Sequence, residues 1–210
     1  MPEVIAIGNS KGGVGKTTVT LALTDYLTKK LGKKVFVIDA DNNQHSIEEF
    51  HQAGLIDFDF TTVDSVARYN ALNDVFDLKK YDYILIDTAP HSHTENLFDE
   101  ILSDAEIVLT VIKPSPKDFL AFNKIMSSVL KHSKAKNQDQ KQYLLINEVK
   151  HMMSNVQKES IEAIESENNV QVLKSTLGQR TYFESLGLEK RTDRKAELEI
   201  EALSKELLGI

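Results

Sequence analysis

The stretch NSKGGVGKTT, residues 9–18, sets two lysines around a glycine run just after a short apolar segment, Val4–Ile7. Gly15, Lys16 and Thr17 match the right-hand end of the phosphate-loop pattern G-x-x-x-x-G-K-[ST]. The left-hand glycine of that pattern would fall at position 10, where Ser10 stands instead, followed by a second lysine, Lys11. Glycines let backbone N–H groups approach phosphate oxygens closely, and a helix opening near Lys16 would add the positive end of its dipole. In such a loop Gly12, Gly13, Val14, Gly15, Lys16, Thr17 and Thr18 cradle the phosphates. Lys16 contacts the β and γ groups, and Thr17 places its hydroxyl on Mg²⁺. The competing reading is a glycine-rich turn between a strand and a helix. The order strand, loop, helix favours the phosphate loop.

Two further apolar runs end in carboxylates. VFVIDADNNQ (35–44) puts Asp39 and Asp41 at the end of one, two positions apart and so on one side of an extended chain. YDYILIDTAP (81–90) ends another at Asp87. A lone strand-end Asp says little, and an Asp/Asn-rich turn could account for the first pair. After a phosphate loop, however, Asp87 reads as the carboxylate that helps hold a Mg²⁺ shell. In VIKPSPKDFLAF (111–122), Pro114 and Pro116 can stop a strand and start a helix. YLLINEV (143–149) leaves a strand at Asn147, a common strand-ending residue.

These residues need a scaffold that brings strand ends together. Val4–Ile7, Val35–Ile38, Tyr83–Ile86, Ile107–Ile112 and Tyr143–Ile146 are apolar throughout, which predicts strands covered on both faces. Helical periodicity fits Thr17–Leu31, Phe119–Leu130, Val156–Ile164 and Ala196–Leu208. The alternation predicts a doubly wound α/β fold, a mostly parallel sheet with helices on both faces, in a single domain over 1–210. Ligands bind at the carboxyl edge of such sheets, where the carboxylates fall. KHSKAKNQDQK (131–141) reads as a helix end and surface loop. Hydrophobic residues make up 41%, enough for a core. With no cysteine, disulfides, Cys-ligated metals and a catalytic thiol are excluded, and an intracellular setting is expected. The net charge of −7 argues against a wholly basic nucleic-acid binder. No signal peptide or membrane-length apolar run is evident.

KGGVGKTT resembles the deviant Walker A loop of the ParA/MinD family of P-loop ATPases. That resemblance implies that Lys11 crosses the interface of a nucleotide sandwich dimer and touches the phosphates of the partner's ATP. A solvated lysine that raises the local potential is the alternative. DADNNQ resembles the family's switch I, D-x-D-P-Q. By that match Asp41 orients or activates the attacking water and Asp39 lies near Mg²⁺. Asn42 and Asn43 depart from the pattern and displace Gln44 by one position. IDTAP resembles switch II, with Thr88 and Pro90 belonging to it. P-S-P-x-D-F resembles the small ParA proteins of the ParF type, in which the segment around Pro114 lies near the nucleotide and the dimer interface. Asn147 matches a position close to the adenine. TLGQRTYFESLGLEK (176–190) and the acidic last helix extend the resemblance over nearly the whole chain. Three residues precede the first strand, so the helix-turn-helix extension of larger ParA repressors, and operator-specific DNA binding, are not expected.

The implied activity is Mg²⁺-dependent hydrolysis of ATP, slow without a partner, by a homodimer that binds DNA nonspecifically. A ParB-like or other cargo-binding adaptor would stimulate it, and the setting would be cytoplasmic and nucleoid-associated. Candidate DNA contacts are Lys174, Arg180, Lys190, Arg191, Arg194 and Lys195, each able to neutralise one phosphate. Ion pairs with Glu184, Glu189 and Asp193 would instead leave them an ordinary solvated face. Lys131, Lys134, Lys136 and Lys141 read as a soluble loop. Glu197, Glu199, Glu201 and Glu206 surround the apolar stripe of the last helix, so it is expected to pack on the sheet rather than bind a membrane. His91 and His93 read as loop residues without further metal ligands. A metabolic P-loop enzyme, such as an ATP-dependent ligase of the dethiobiotin synthetase kind, is the second class. An Fe–S reductase of the NifH/Mrp type is removed by the missing cysteine. The cargo stays open.

Overall fold

Seven strands lie side by side in the order β3-β2-β4-β1-β5-β6-β7, and every pairing is parallel. The structure is a computed structural model that describes residues 1–41, 46–91, 94–150, 152–184 and 193–210, without the side chains of Ser46 and Glu184. In chain order the elements are β1 (Glu3–Gly8), α1 (Lys16–Asp25), β2 (Val35–Ala40), α2 (Ser46–Gln52), β3 (Asp59–Thr62), α3 (Val66–Asn70), α4 (Leu72–Val75), β4 (Tyr83–Thr88), α5 (Glu95–Asp104) and β5 (Ile107–Ile112). They continue with α6 (Pro116–Ala121), α7 (Ser127–Lys136), β6 (Lys141–Val149), α8 (Asn155–Asn168), β7 (Gln171–Gly178), α9 (Thr181–Glu184) and α10 (Arg194–Leu208).

Residue parity along each strand builds two cores, because successive side chains leave opposite faces of a sheet. Ala6, Phe36, Ile38, Ile84, Ile86 and Val108 face one way and pack on α5, α7 and α8. Ile5, Ile7, Val35, Val37, Leu85 and Leu109 face the other way and pack on α1 and α10. Both faces of β2, β4 and β5 are therefore buried, and their sequences are apolar without alternation. β1 lies between β4 and β5, so the chain goes to one side of β1 first and returns to its other side later. The strand order reverses beside β1, and the crevice of the doubly wound sheet opens at its carboxyl end.

The expected helices and strands are present, with extensions that matter. β2 and β4 run on to Ala40 and Thr88, so Asp39 and Asp87 lie within strands. The expected helix Phe119–Leu130 belongs to a longer run from Pro116 to Lys136, with a π-helical turn at Phe122–Met126 joining α6 to α7. Beyond the expected elements the chain forms β3, β7 and α5, together with the short helices α2, α3, α4 and α9. β3 is four residues long, and β7 is an edge strand with exposed polar positions. α5 buries Leu97, Phe98, Ile101 and Leu102, a helical spacing that the sequence does carry. The segment 131–141 is not wholly a surface loop. Ser133 and Gln140 are buried, and Gln140 Nε2 donates to the carbonyls of Leu102 and Ala105 at 2.6 and 2.9 Å. These two side chains satisfy carbonyls at and just beyond the end of α5 that would otherwise be buried unpaired. No described helix is long and apolar enough to cross a membrane.

The last helix packs its apolar stripe on the sheet as expected, through Ala196, Ile200, Leu203 and Leu207. Its acidic residues also cover the edge of β7. Glu206 accepts from the N–H groups of Lys174 and Ser175, each at 2.8 Å, and from the Ser175 hydroxyl at 2.7 Å. Glu199 accepts from the Gly178 N–H at 3.0 Å and holds Arg180. An edge strand with unpaired N–H groups invites foreign pairing, and these carboxylates occupy them. Burial pushes the Glu206 carboxyl up, but these hydrogen bonds and Lys174 outweigh it and hold the group below its ordinary value. A depressed carboxylate stabilises the fold above its unfolded value, and that stability is lost as pH falls through the folded one. Glu206→Gln should therefore lower the melting temperature at pH 7 and make little difference near pH 3. Thermal melts of both chains across that range check it.

Candidate functional site

The loop after β1 is fixed at both ends by asparagines. Asn9 donates from Nδ2 to the Val111 carbonyl on β5 at 2.5 Å, and its Oδ1 accepts from the Lys11 N–H at 3.0 Å. Asn147, at the far end of β6, donates to the Val14 carbonyl at 2.8 Å. Gly13 and Gly15 have φ of 69° and 98°. A β-carbon on Gly15 would sit 2.2 Å from Asn147 Nδ2, so both the left-handed backbone and the close amide require glycine there. Gly15 also caps α1 without a side-chain acceptor. The first-turn N–H groups of α1 are thus left to an external anion. The Asn147 amide thus holds the loop backbone beside the position expected for the adenine.

Lys16 opens α1 and is buried, with 5% of its surface exposed. Its Nζ donates to the Lys11 carbonyl at 3.3 Å. Burial pushes the ammonium below its usual value, against the pull of Asp87 and Asp41. Thr17 Oγ1 donates to Asp87 Oδ2 at 2.6 Å. Asp87 is 1% exposed, and its second oxygen has no hydrogen-bond partner. Asp39 stands directly opposite Asp87 in the β2–β4 register, and its Oδ1 accepts from the Asp41 N–H at 2.9 Å. Asp41 is buried as well. Burial first, and the charges of Asp39 and Asp41 with it, push the Asp87 carboxyl up to about 7, against the Thr17 hydrogen bond and Lys16.

Among the described residues no group of three or more His, Cys, Asp or Glu could cage a metal. Mg²⁺ at nucleotide sites is commonly held by one or two carboxylates together with phosphates and waters. Thr17, Asp39 and Asp87 fit that smaller donor set, and the orphaned Asp87 oxygen is a ready ligand.

Lys11 points to a partner that the sequence alone did not single out. Its Nζ lies 2.9 Å from Asp118 Oδ1, and Asp118 is 3% exposed. Asp118 sits at the third position of α6, whose N-cap is Ser115 and whose first residue is Pro116. The Ser115 hydroxyl bonds the other carboxylate oxygen. Pro114 is tied down through its carbonyl, which accepts from Gln157 Nε2 at 2.5 Å. P-S-P-x-D-F is thus the segment that meets the loop. Beside it Lys113 pairs with Glu148 at 2.6 Å, and Glu148 has a left-handed φ of 55°.

Of the six DNA candidates, four lie among the described residues, and their surroundings differ. Arg180 Nε and Nη2 lie 3.0 and 2.5 Å from Glu199, so that cation is already neutralised. Lys174 is exposed on β7, and Arg194 and Lys195 are exposed on the first turn of α10. Lys190 and Arg191 lie outside the described residues, as do Asn42, Asn43, Gln44 and His93. Thr88 donates from Oγ1 to the Ile7 carbonyl at 2.9 Å, which ties the end of β4 to β1. His91 packs edge-on against Phe98.

Comparison with known proteins places this arrangement. Residues 5–192 match the family model described as the CobQ/CobB/MinD/ParA nucleotide binding domain. Over 119 residues the chain is 30% identical to the maintenance of carboxysome distribution protein A of Gloeobacter kilaueensis. That match covers 56% of this chain and 52% of the relative, so the chain spans about half the length of that curated protein. The fold superposes on the MinD cell division protein of Aquifex aeolicus with a TM-score of 0.73 at 23% identity, over 99% of this chain and 97% of the other. The ATP complex of Cyanothece McdA superposes with a TM-score of 0.69 at 17% identity, over 100% and 97%. At these identities the two structures show the fold.

Asp87 supplies a test of the site's electrostatics. A carboxyl raised in the folded state binds its proton more tightly there, so it weakens the fold as pH rises from about 4 through about 7. Asp87→Asn should raise the melting temperature of the ligand-free chain by a few degrees at pH 8 and by much less at pH 4.5. An equal shift at both pH values would mean that the carboxyl does not titrate in that window.

Proposed function

The chain belongs to the CobQ/CobB/MinD/ParA nucleotide-binding-domain family, and from that premise we propose that it is a Mg²⁺-dependent ATPase working as a nucleotide-switched dimer, one ATPase domain across 1–210. The observation that carries this reading is the convergence of the two-lysine loop with Asp39, Asp41 and Asp87 at the carboxyl edge of β1, β2 and β4. In this reading the N–H groups of Gly12 to Thr18 bind the phosphates, and Lys16 neutralises the β and γ groups. Thr17, Asp87 and Asp39 hold Mg²⁺, which would supply charge neutralisation and orientation of the γ-phosphate. Asp41 orients the attacking water. Lys11, contributed by the partner subunit, adds a cation where negative charge grows in the transition state.

The dimer would bind DNA nonspecifically. Among the described candidates, the exposed Lys174, Arg194 and Lys195 support that surface better than Arg180, which Glu199 holds, and Lys190 and Arg191 stay candidates from the sequence. A ParB-like or other adaptor on the cargo would stimulate otherwise slow hydrolysis and release the DNA. The chain would thereby distribute a plasmid, a chromosome or another large cargo from the nucleoid.

Asp41→Ala should retain ATP and dimerise without turning it over. Light scattering should give the mass of one chain with ADP and of two with ATP–Mg²⁺. A mass that ignores nucleotide, with ATP bound, would sink the switch reading and favour a ligase acting on a small molecule.

A further inference from the structure

Lys11 and Asp118 stand 107 positions apart in the chain, and their side chains meet at 2.9 Å. We infer that Asp118 is a positioning residue that holds Lys11 in cis in the resting chain, so that the pair must open before Lys11 can serve a second subunit. The inference rests on the proposed in-trans role of Lys11 and adds the device that restrains it.

The carboxylate is buried and the lysine is not. Asp118 is 3% exposed, whereas the Lys11 side chain is 41% exposed. A buried carboxylate that loses its cation is costly, which gives the closed pair its hold. The cost is bounded here, because Asp118 keeps other support. Its second oxygen bonds the Ser115 hydroxyl, and the carboxylate lies in the first turn of α6, where a helix favours negative charge. The freed ammonium would move into water or onto a phosphate. The arrangement therefore has two tenable states, one with Lys11 on Asp118 and one with Lys11 released.

The loop links that choice to nucleotide. The Lys16 ammonium donates to the carbonyl of Lys11 at 3.3 Å. Phosphates bound in cis would draw Lys16 Nζ toward themselves and away from that carbonyl. The Lys11 backbone would then keep only its N–H bond to Asn9. A nucleotide arriving at Lys16 thus loosens the residue that Asp118 holds. At rest the pair also cancels the charge of Lys11, so two empty loops present less attraction to a stray anion. This gives Asp118 a role that neither its helix position nor its burial requires.

Asp118→Asn keeps the size and the Ser115 contact but removes the charge. In the Asp41→Ala background it should tighten ATP-dependent dimerisation by roughly fivefold, read as the protein concentration at half-dimer. The same change should lower the stability of the nucleotide-free chain. Opposite signs on the two readouts separate a restraint from a purely structural part. Asp118→Glu should restore both toward the parent. Lys11→Met should abolish the gain, and a urea-unfolding cycle over Lys11→Met and Asp118→Asn should show coupling in the absence of nucleotide. If Asp118→Asn weakens dimerisation as Lys11→Met does, the carboxylate serves the paired state and the inference is overturned. Unchanged dimerisation overturns it too. If no variant dimerises with ATP, the dimer reading is what fails. The unfolding cycle then decides the cis pair by itself, and zero coupling overturns it.

Discussion

Three carboxylates and a lysine are withdrawn from water at the carboxyl edge of this sheet, and each needs a partner there. Asp39, Asp41, Asp87 and Lys16 are all buried within one neighbourhood. A buried charge without compensation is among the most expensive features a fold can carry. Compensating contacts include Thr17 on Asp87, the Asp41 N–H on Asp39 and the Lys11 carbonyl on Lys16. One oxygen of Asp87 stays unsatisfied, and its carboxyl is driven up to about 7. In the proposed function, phosphates would meet the lysines and a cation would meet the open oxygen of Asp87.

The fold holds that cluster still. β1 ends at the point where the strand order reverses, and its neighbours on either side supply the clamps. β4 brings Asp87 level with Ile7, and β2 brings Asp39 level with Asp87. β5 and β6 reach in from the other side through the Val111 carbonyl and Asn147. The two apolar cores above and below keep these strands in register. A slip of one residue would turn Asp39 and Asp87 to the opposite face.

Much of this was legible in the sequence, for stated reasons. Strands buried on both faces read as unbroken apolar runs, and Ile107–Ile112 is bounded as its sequence implies. The phosphate loop and the strand-end carboxylates are local patterns, and local patterns survive without coordinates. The edge strands were harder. β3 is short and β7 is half polar, because an edge strand buries less. α5 was legible in principle, since Leu97, Phe98, Ile101 and Leu102 have helical spacing. Asp118 was not, because a partner 107 positions away leaves no trace in spacing. Nor was the pairing of Arg180 with Glu199, a carboxylate that also holds the Gly178 N–H at the edge of β7.

The most direct test of the account is a calorimetric titration of the chain, and of Lys16→Ala, with Mg·ATP, Mg·ADP and AMP. A site that completes a buried charge cluster through β and γ phosphates should bind the first two, bind AMP far more weakly, and lose the first two when Lys16 is removed. AMP binding as strong as ATP, or undiminished ATP binding by Lys16→Ala, would contradict it.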